Sequence, residues 1–92
     1  MRVLRCKDLD TRRVKSAFAK VLAALQAGDF RSADVKKPSP PPYWRAKLDY
    51  SNRLLLQFAR CAGETVCLVL EVIENHAYDR SRFLRGAGRG QD

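Results

Sequence analysis

The feature that most constrains this 92-residue chain is a run of four prolines, Pro38, Pro40, Pro41 and Pro42. Proline lacks a backbone N–H and has a fixed φ, so this stretch can form neither an α-helix nor a central β-strand. The run instead favours a stiff, extended connection. The residues before it and after it are therefore expected to form separate elements, which we consider in turn.

The residues before the prolines have the periodicity of one amphipathic helix. Apolar side chains recur there at three- and four-residue spacing: Val14, Ala17, Phe18, Val21, Leu22, Ala24 and Leu25. Asp10 or Thr11 can cap the start of this helix, and Gly28 can end it in the left-handed conformation. The preceding stretch "MRVLRCK" predicts a short first strand.

The residues after the prolines predict three strands, "YWRAKLDY", "RLLLQFAR" and "TVCLVLEVIE". Turn-forming residues at 49–52 and at Gly63 separate them. Connections this short predict an antiparallel meander. The expected fold class is therefore α+β, with this meander and the N-terminal strand in a small antiparallel sheet packed on the helix. We expect one domain over residues 1–85 and a flexible, Gly-rich tail over residues 86–92.

Strict alternation along each strand assigns the side chains to two faces of the sheet. The face toward the helix is predicted to carry Trp44, Ala46, Leu48, Leu54, Leu56, Phe58, Val66, Leu68, Leu70 and Val72. The outer face is predicted to carry Tyr43, Arg45, Lys47, Arg53, Leu55, Gln57, Cys67, Val69, Glu71 and Ile73. Tyr50, like Trp44, is expected to pack in the core. The aliphatic side chains on the outer face are either singly exposed or covered by the C-terminal segment, a partner peptide or a fused domain.

The charge of the chain favours a polyanionic partner. Eighteen Lys and Arg residues against ten Asp and Glu residues give a net charge of +8. Arg45, Lys47 and Arg53 are predicted to share the outer face, and neighbouring strands lie about 4.8 Å apart. These three cations can therefore converge on one phosphate. The alternative is a positive surface that is simply solvated.

The cysteine and histidine content gives no sign of a metal site or of a disulfide framework. Cys6, Cys61 and Cys67 are an odd number without CxxC spacing, and His76 is the only histidine. Reduced thiols are the simplest interpretation, and we expect no metal and no cofactor. No apolar run has the length of a signal peptide or a membrane span. A cytoplasmic protein without membrane contact is therefore expected.

Two stretches, "YWRAKLDYSNRLLLQF" and "LVLEVIENHAYDR", are similar to motifs of the RelE/ParE toxin superfamily of bacteria, and the similarity covers roughly residues 15–83. This resemblance implies a small antiparallel sheet backed by one or two N-terminal helices. It also implies a toxin–antitoxin function as a ribosome- or RNA-directed endoribonuclease, an mRNA interferase, which an antitoxin-like peptide neutralises by covering the sheet. Other members of the superfamily inhibit DNA gyrase. Similar domains beside UvrD-type helicases suggest a non-catalytic nucleic-acid- or protein-binding domain as a further alternative.

The resemblance also implies roles for individual residues. Arg45 and Arg53 would hold the phosphate with help from Lys47, and Arg80 would add to RNA binding. In a metal-independent endoribonuclease, Arg45 and Arg53 would stabilise charge on phosphorus, and His76 would act as acid or base. Lys47 would be a second acid or base if the neighbouring cations lower its pKa, and Tyr78 would stack a base or donate a proton. Each residue also has a structural alternative: a turn residue for His76, packing over the sheet edge for Tyr78, and ordinary solvation for the arginines.

Overall fold

A computed structural model describes residues 1–37, 42–76, 81 and 83–84, so the expected tail at residues 86–92 lies outside the described part. The elements are β1 (Arg2–Arg5), a 3-10 turn (Arg12–Val14), α1 (Lys15–Gln26), β2 (Tyr43–Lys47), β3 (Arg53–Cys61), β4 (Glu64–Ile73) and a second 3-10 turn (Glu74–His76). The predicted first strand, helix and three later strands are thus confirmed. Among the described residues, no helix has the length and apolarity needed to cross a membrane.

Both ends of the helical segment are set by local interactions. The Asp10 carboxylate accepts a hydrogen bond from the backbone N–H of Arg12 at 3.1 Å, whereas Thr11 makes no side-chain capping bond. Asp10 is therefore the residue that stabilises the start. Gly28 has φ of +73°, and the next backbone N–H, of Asp29, donates to the Ala24 carbonyl at 2.8 Å. The predicted left-handed glycine at the end of the helix is confirmed.

The four strands form one mixed sheet in the order β1-β4-β3-β2. β2 with β3 and β3 with β4 are antiparallel, as the meander predicts, but β1 is parallel to β4. The expectation of a wholly antiparallel sheet is therefore wrong for β1. Short turns fix the direction of β2, β3 and β4, whereas β1 reaches β4 only through the tertiary fold. The described residues contain one α-helix.

A β-bulge in β4 changes which side chains face the helix. Leu55 pairs with Glu71 and Leu56 pairs with Val69, so Leu70 has no partner residue on β3. Strict alternation is correct for β2 and β3 and for the end of β4. Before the bulge it is reversed: Cys67 and Val69 pack on the helix side, while Leu68 and Leu70 lie in the outer cluster. The predicted faces of these four residues are therefore wrong, because one inserted residue inverts the alternation.

The sheet consequently has an apolar cluster on each face. The helix-side cluster consists of Val14, Phe18, Val21, Leu25, Ala33, Ala46, Leu48, Leu54, Leu56, Cys67 and Val69. The outer cluster consists of Leu55, Leu70 and Ile73, against which Cys6, Tyr43, Leu68, Phe83 and Leu84 pack. Phe83 and Leu84 of the C-terminal segment, one of the three covers considered above, thus lie on the outer face.

The two aromatic residues that were expected in the core differ in their environment. Trp44 packs on the helix-side cluster, with its ring edge-to-face with Phe58 at a centroid distance of 5.6 Å. Tyr50 is 87% exposed, so its predicted burial is wrong. β2 ends at Lys47, so Tyr50 belongs to the turn and the alternation of the strand does not extend to it.

The β3–β4 hairpin offers a test of local backbone strain. Ala62 and Gly63 have φ of +53° and +83°, as a two-residue type I′ turn requires. Ala62→Asn should raise the free energy of unfolding by about 0.5–1 kcal/mol, because asparagine tolerates the left-handed region better than alanine. Urea denaturation measures the change. Gly63→Ala is the opposite control and should cost about 1–2 kcal/mol through strain alone, since an added Cβ meets nothing within 4 Å. Equal free energies of unfolding for the two variants would contradict the proposed strain at Ala62.

Candidate nucleic-acid interface

The backbone of Lys36 extends the sheet by one residue beyond β2. Its N–H donates to the Arg45 carbonyl and its carbonyl accepts from the Arg45 N–H, both at 2.8 Å. This isolated antiparallel bridge makes Lys36 and Arg45 direct partners, so their side chains start from the same face. The loop before it is held by Asp29, whose carboxylate accepts from the Ser32 N–H and hydroxyl. These hydrogen bonds lower the pKa of Asp29.

The pairing of β2 with β3 places the predicted cations on the outer face. Arg45 is the partner of Leu55, and Lys47 is the partner of Arg53. Leu55 belongs to the outer cluster, which confirms that Arg45 lies on the side away from the helix. The register therefore agrees with the sequence-based assignment for these basic residues.

Two of the three predicted cations, Arg45 and Arg53, meet in one depression. We call this depression, with a volume of about 190 Å3, the phosphate site; it is lined by Asp34, Lys36, Arg45 and Arg53. Lys47 does not line it and instead borders a neighbouring depression with Lys20. Convergence of all three predicted cations is therefore not observed. Lys36 takes the third position in the phosphate site, and it was missed because one bridging residue produces no alternating pattern.

The turn between β2 and β3 fixes the position of Arg53. Its Nη1 donates to the carbonyl oxygens of Asp49 at 2.6 Å and Asn52 at 3.0 Å. The Asp49 carboxylate closes the same turn by accepting the backbone N–H groups of Ser51 and Asn52, both at 2.9 Å. The hydrogen bond from the Asn52 side chain is the main cause of the lowered pKa of Asp49. Within the described residues, the hydrogen bonds of Arg53 all come from Nη1, so its Nε and Nη2 donors make none there.

Asp34 contributes the carboxylate that lies among these cations. Its backbone has φ of +50°, an uncommon conformation for a residue other than glycine. Its Oδ1 lies 3.7 Å from the Lys36 Nζ, and the side chains of Lys36 and Asp34 are 63% and 45% exposed. An exposed ion pair of this length is weak and contributes less than about 1 kcal/mol. Three cations therefore surround the phosphate site with one weakly paired carboxylate among its described lining residues.

Leu55 on β3 is the register partner of both Arg45 on β2 and Glu71 on β4. Glu71 therefore lies on the outer face, two strands from Arg45. Its carboxylate accepts a hydrogen bond from the Ser81 hydroxyl, and Ser81 is only 1% exposed. The Ser81 hydroxyl in turn accepts the Leu84 N–H at 3.2 Å. These bonds attach Ser81 and Leu84 to the outer face beside the apolar cluster.

The segment after β4 runs toward the turn that holds Arg53. Ile73 is the partner of Arg53, and the Asn75 N–H donates to the Asn52 Oδ1 at 3.1 Å. The backbone of His76 follows directly, in the second 3-10 turn. The side chain of His76 and all of Tyr78 and Arg80 lie outside the described part of the structure. Their predicted roles remain predictions.

The described residues were expected to contain neither a metal site nor a disulfide, and their potential metal ligands and thiols are arranged as follows. There, no group of three or more His, Cys, Asp or Glu side chains is arranged to hold a metal ion. Cys6, Cys61 and Cys67 form no disulfide. Burial raises the pKa of Cys67 to about 11, so this thiol carries little of the reactive thiolate form.

Comparisons of the chain with models of protein families, with curated proteins and with solved structures give no match. Support for a function therefore comes from the geometry of the phosphate site and from the two sequence motifs.

Proposed function

We propose that this protein is a RelE/ParE-like toxin-family protein that binds RNA at the phosphate site and cleaves it as a metal-independent endoribonuclease. The observation that carries the proposal is the meeting of Lys36, Arg45 and Arg53 in one depression. These residues come from three different segments of the chain, so the fold itself brings the charges together.

The types of side chain suit a phosphate ligand. A guanidinium group can hold two phosphate oxygens with parallel N–H donors, and a lysine adds a mobile point charge. Arg53 is already oriented by the carbonyl oxygens of Asp49 and Asn52. A cation that is fixed before binding loses less conformational entropy when the ligand arrives. The arrangement therefore favours phosphate more than a scattered set of solvated cations would.

The overall charge supports an RNA strand more than a small anion. The net charge of +8 attracts a polyanion over a distance, and the phosphate site supplies a defined contact. Cleavage follows from the RelE/ParE-like motifs, with His76 and Tyr78 as the proton-transferring or base-stacking groups. The same resemblance implies an acidic antitoxin-like partner.

The binding part of the proposal is tested with the double variant Arg45→Ala/Arg53→Ala. Its affinity for a fluorescein-labelled single-stranded RNA should fall by about tenfold, because two charge-assisted contacts are lost. The slope of log K against log salt should become shallower by about 0.7 for each lost phosphate contact. Fluorescence anisotropy at several salt concentrations measures both quantities.

A matched control removes the same charge from elsewhere on the sheet. Arg2→Ala/Arg60→Ala removes two exposed arginines, one on β1 at the far edge and one beside the β3–β4 turn. It should weaken RNA binding by less than about threefold. Equal losses for the two double variants would mean that only general electrostatic attraction operates, and the phosphate site would be wrong.

Expression of the protein in a bacterial host distinguishes the proposed activity from the other functions of the superfamily. An endoribonuclease should halt growth with fragmented transcripts. Replication arrest with intact transcripts would indicate a ParE-type gyrase inhibitor. Normal growth together with RNA binding in vitro would indicate a non-catalytic binding domain, such as one fused to a helicase.

A further inference from the structure

The carboxylate of Asp34 is the one feature of the phosphate site that phosphate binding does not explain. It is the only acidic group among the described lining residues, where it lies with Lys36, Arg45 and Arg53. A negative charge at this position repels a phosphate and weakens the binding to which the three cations contribute. An ionised carboxylate can only accept hydrogen bonds, so the partner that suits it in this depression is a hydrogen-bond donor.

Backbone hydrogen bonds on both sides of Asp34 fix its position beside β2. On one side, the Ala33 carbonyl accepts the N–H of Lys47 at 3.0 Å. On the other side, Lys36 exchanges two backbone hydrogen bonds with Arg45. The side chain of Asp34 therefore starts from a fixed point at the edge of the sheet, and it is placed there in the uncommon backbone conformation with φ of +50°.

Other aspartates of the described loops use their carboxylates to hold the fold. Asp10, Asp29 and Asp49 each accept hydrogen bonds from residues two or three positions later and so stabilise a local turn. Within the described residues, the Asp34 carboxylate accepts no hydrogen bond, and its contact with Lys36 at 3.7 Å is an exposed ion pair of the weak kind. Its acceptor capacity is therefore available to a ligand.

An RNA strand carries a suitable donor beside every phosphate. The 2′-hydroxyl and the 3′-phosphate of a nucleotide are attached to neighbouring carbon atoms of one ribose, so a phosphate held by Arg45 and Arg53 brings a hydroxyl close to it. The donors of the base lie beyond the sugar and are farther from the phosphate. A hydroxyl that donates to a carboxylate forms a charge-assisted hydrogen bond, which is stronger than a bond between neutral groups. DNA lacks this hydroxyl, so only the repulsion remains.

We propose that Asp34 accepts a hydrogen bond from the ribose 2′-hydroxyl beside the bound phosphate and thereby makes the phosphate site select RNA over DNA. This inference rests on the proposed RNA binding and adds to it the residue that determines specificity. The cations attract either nucleic acid. The carboxylate disfavours both through its charge and compensates only RNA through the hydrogen bond, so discrimination comes from a repulsive and an attractive element together.

The test compares three labelled single strands of one base sequence: RNA, its 2′-deoxy form and its 2′-O-methyl form, which keeps the oxygen but has no hydrogen to donate. The unmodified protein should bind RNA about tenfold more tightly than either modified strand, because both lose a hydrogen bond to a charged group. In Asp34→Gly the three affinities should lie within about twofold of one another, and the 2′-deoxy strand should bind more tightly than it does to the unmodified protein. Fluorescence anisotropy measures the affinities, and electrophoresis afterwards checks that the strands are intact.

Glycine is chosen because it adopts a positive φ without strain. Asp34→Asn provides a second variant that also tolerates this conformation and keeps an uncharged acceptor, so it should retain a two- to fivefold preference for RNA. Thermal unfolding of each variant checks that it is folded.

Two results would overturn the inference: equal affinities of the unmodified protein for the three strands, or an unchanged preference for RNA in Asp34→Gly. An unchanged preference with tighter binding of all three strands would show that Asp34 acts only by repulsion. The phosphate site is decided separately by Arg45→Ala/Arg53→Ala. It stands if this variant loses more affinity than Arg2→Ala/Arg60→Ala, and both proposals are wrong if it does not.

Discussion

Leu55→Ala should lower the free energy of unfolding by about 2–5 kcal/mol. Leu55 is fully buried in the outer cluster with Leu70 and Ile73. Truncation to alanine removes apolar contacts and leaves a cavity between the sheet and the C-terminal residues that cover it. Since a domain has a total stability of about 5–15 kcal/mol, this single change removes a large part of it.

The control for this prediction is Leu4→Ala, which makes the same chemical change on β1 at a position that is 42% exposed. It should cost less than about 1 kcal/mol, because its side chain already contacts water. Urea denaturation with a common slope for all variants measures both changes. Equal effects at Leu55 and Leu4 would show that the outer face is not covered in solution.

The outer face of the sheet is thus divided between two environments. One part is apolar and is covered by Phe83 and Leu84 of the C-terminal segment. The other part, at the β2 edge, carries Arg45 and Arg53 around the phosphate site. Leu55 on β3 belongs to the apolar part and is the register partner of Arg45 on β2. Folding and the candidate site are therefore linked through the same two strands.

The elements that were predicted correctly are those specified by interactions between residues that are close in the sequence. The apolar spacing of α1 selects one face of a helix, and Gly28 ends it at a φ that other residues avoid. The β3–β4 turn likewise contains Gly63, which supports the hairpin. Such signals lie within a few residues of the structure they determine, so no long-range information is required.

The bulge at Leu70 could not be predicted in this way. The stretch "CLVLEVI" is apolar at almost every position, so either alternation buries aliphatic side chains. Because both faces of β4 meet an apolar cluster, the sequence does not distinguish regular pairing from pairing with one extra residue. The direction of β1 was similarly undetermined, because no short turn links it to its partner strand.

The candidate site was predicted only in part, because some of its residues lie in regularly paired strands and others do not. Arg45 and Arg53 lie in the regular pairing of β2 with β3, so alternation placed them correctly. Lys47 starts from the same face, but it is the last residue of β2 and it borders a neighbouring depression together with Lys20. Lys36 belongs to a loop, and only the tertiary fold brings it beside Arg45.

The second large effect is expected for catalysis by His76. Metal-independent RNA cleavage needs a base for the 2′-hydroxyl, cations for the phosphate and an acid for the leaving oxygen. The arginines of the phosphate site suit the second task. A histidine has an unperturbed pKa of about 6.5 and suits the first or the third. The Asn75–Asn52 hydrogen bond attaches the backbone just before His76 to the turn that orients Arg53.

His76→Ala should therefore slow RNA cleavage by about 100-fold or more while RNA affinity stays within about twofold, because general acid–base catalysis acts on the chemical step. Single-turnover cleavage of a labelled RNA measures the rate, and anisotropy measures the affinity. The control is the same variant with added imidazole, which should restore part of the rate if only the proton-transferring group is missing. An unchanged rate excludes His76 from the mechanism. Equal losses of rate and affinity would assign it to binding, and no cleavage by the unmodified protein would favour the non-catalytic RNA-binding domain.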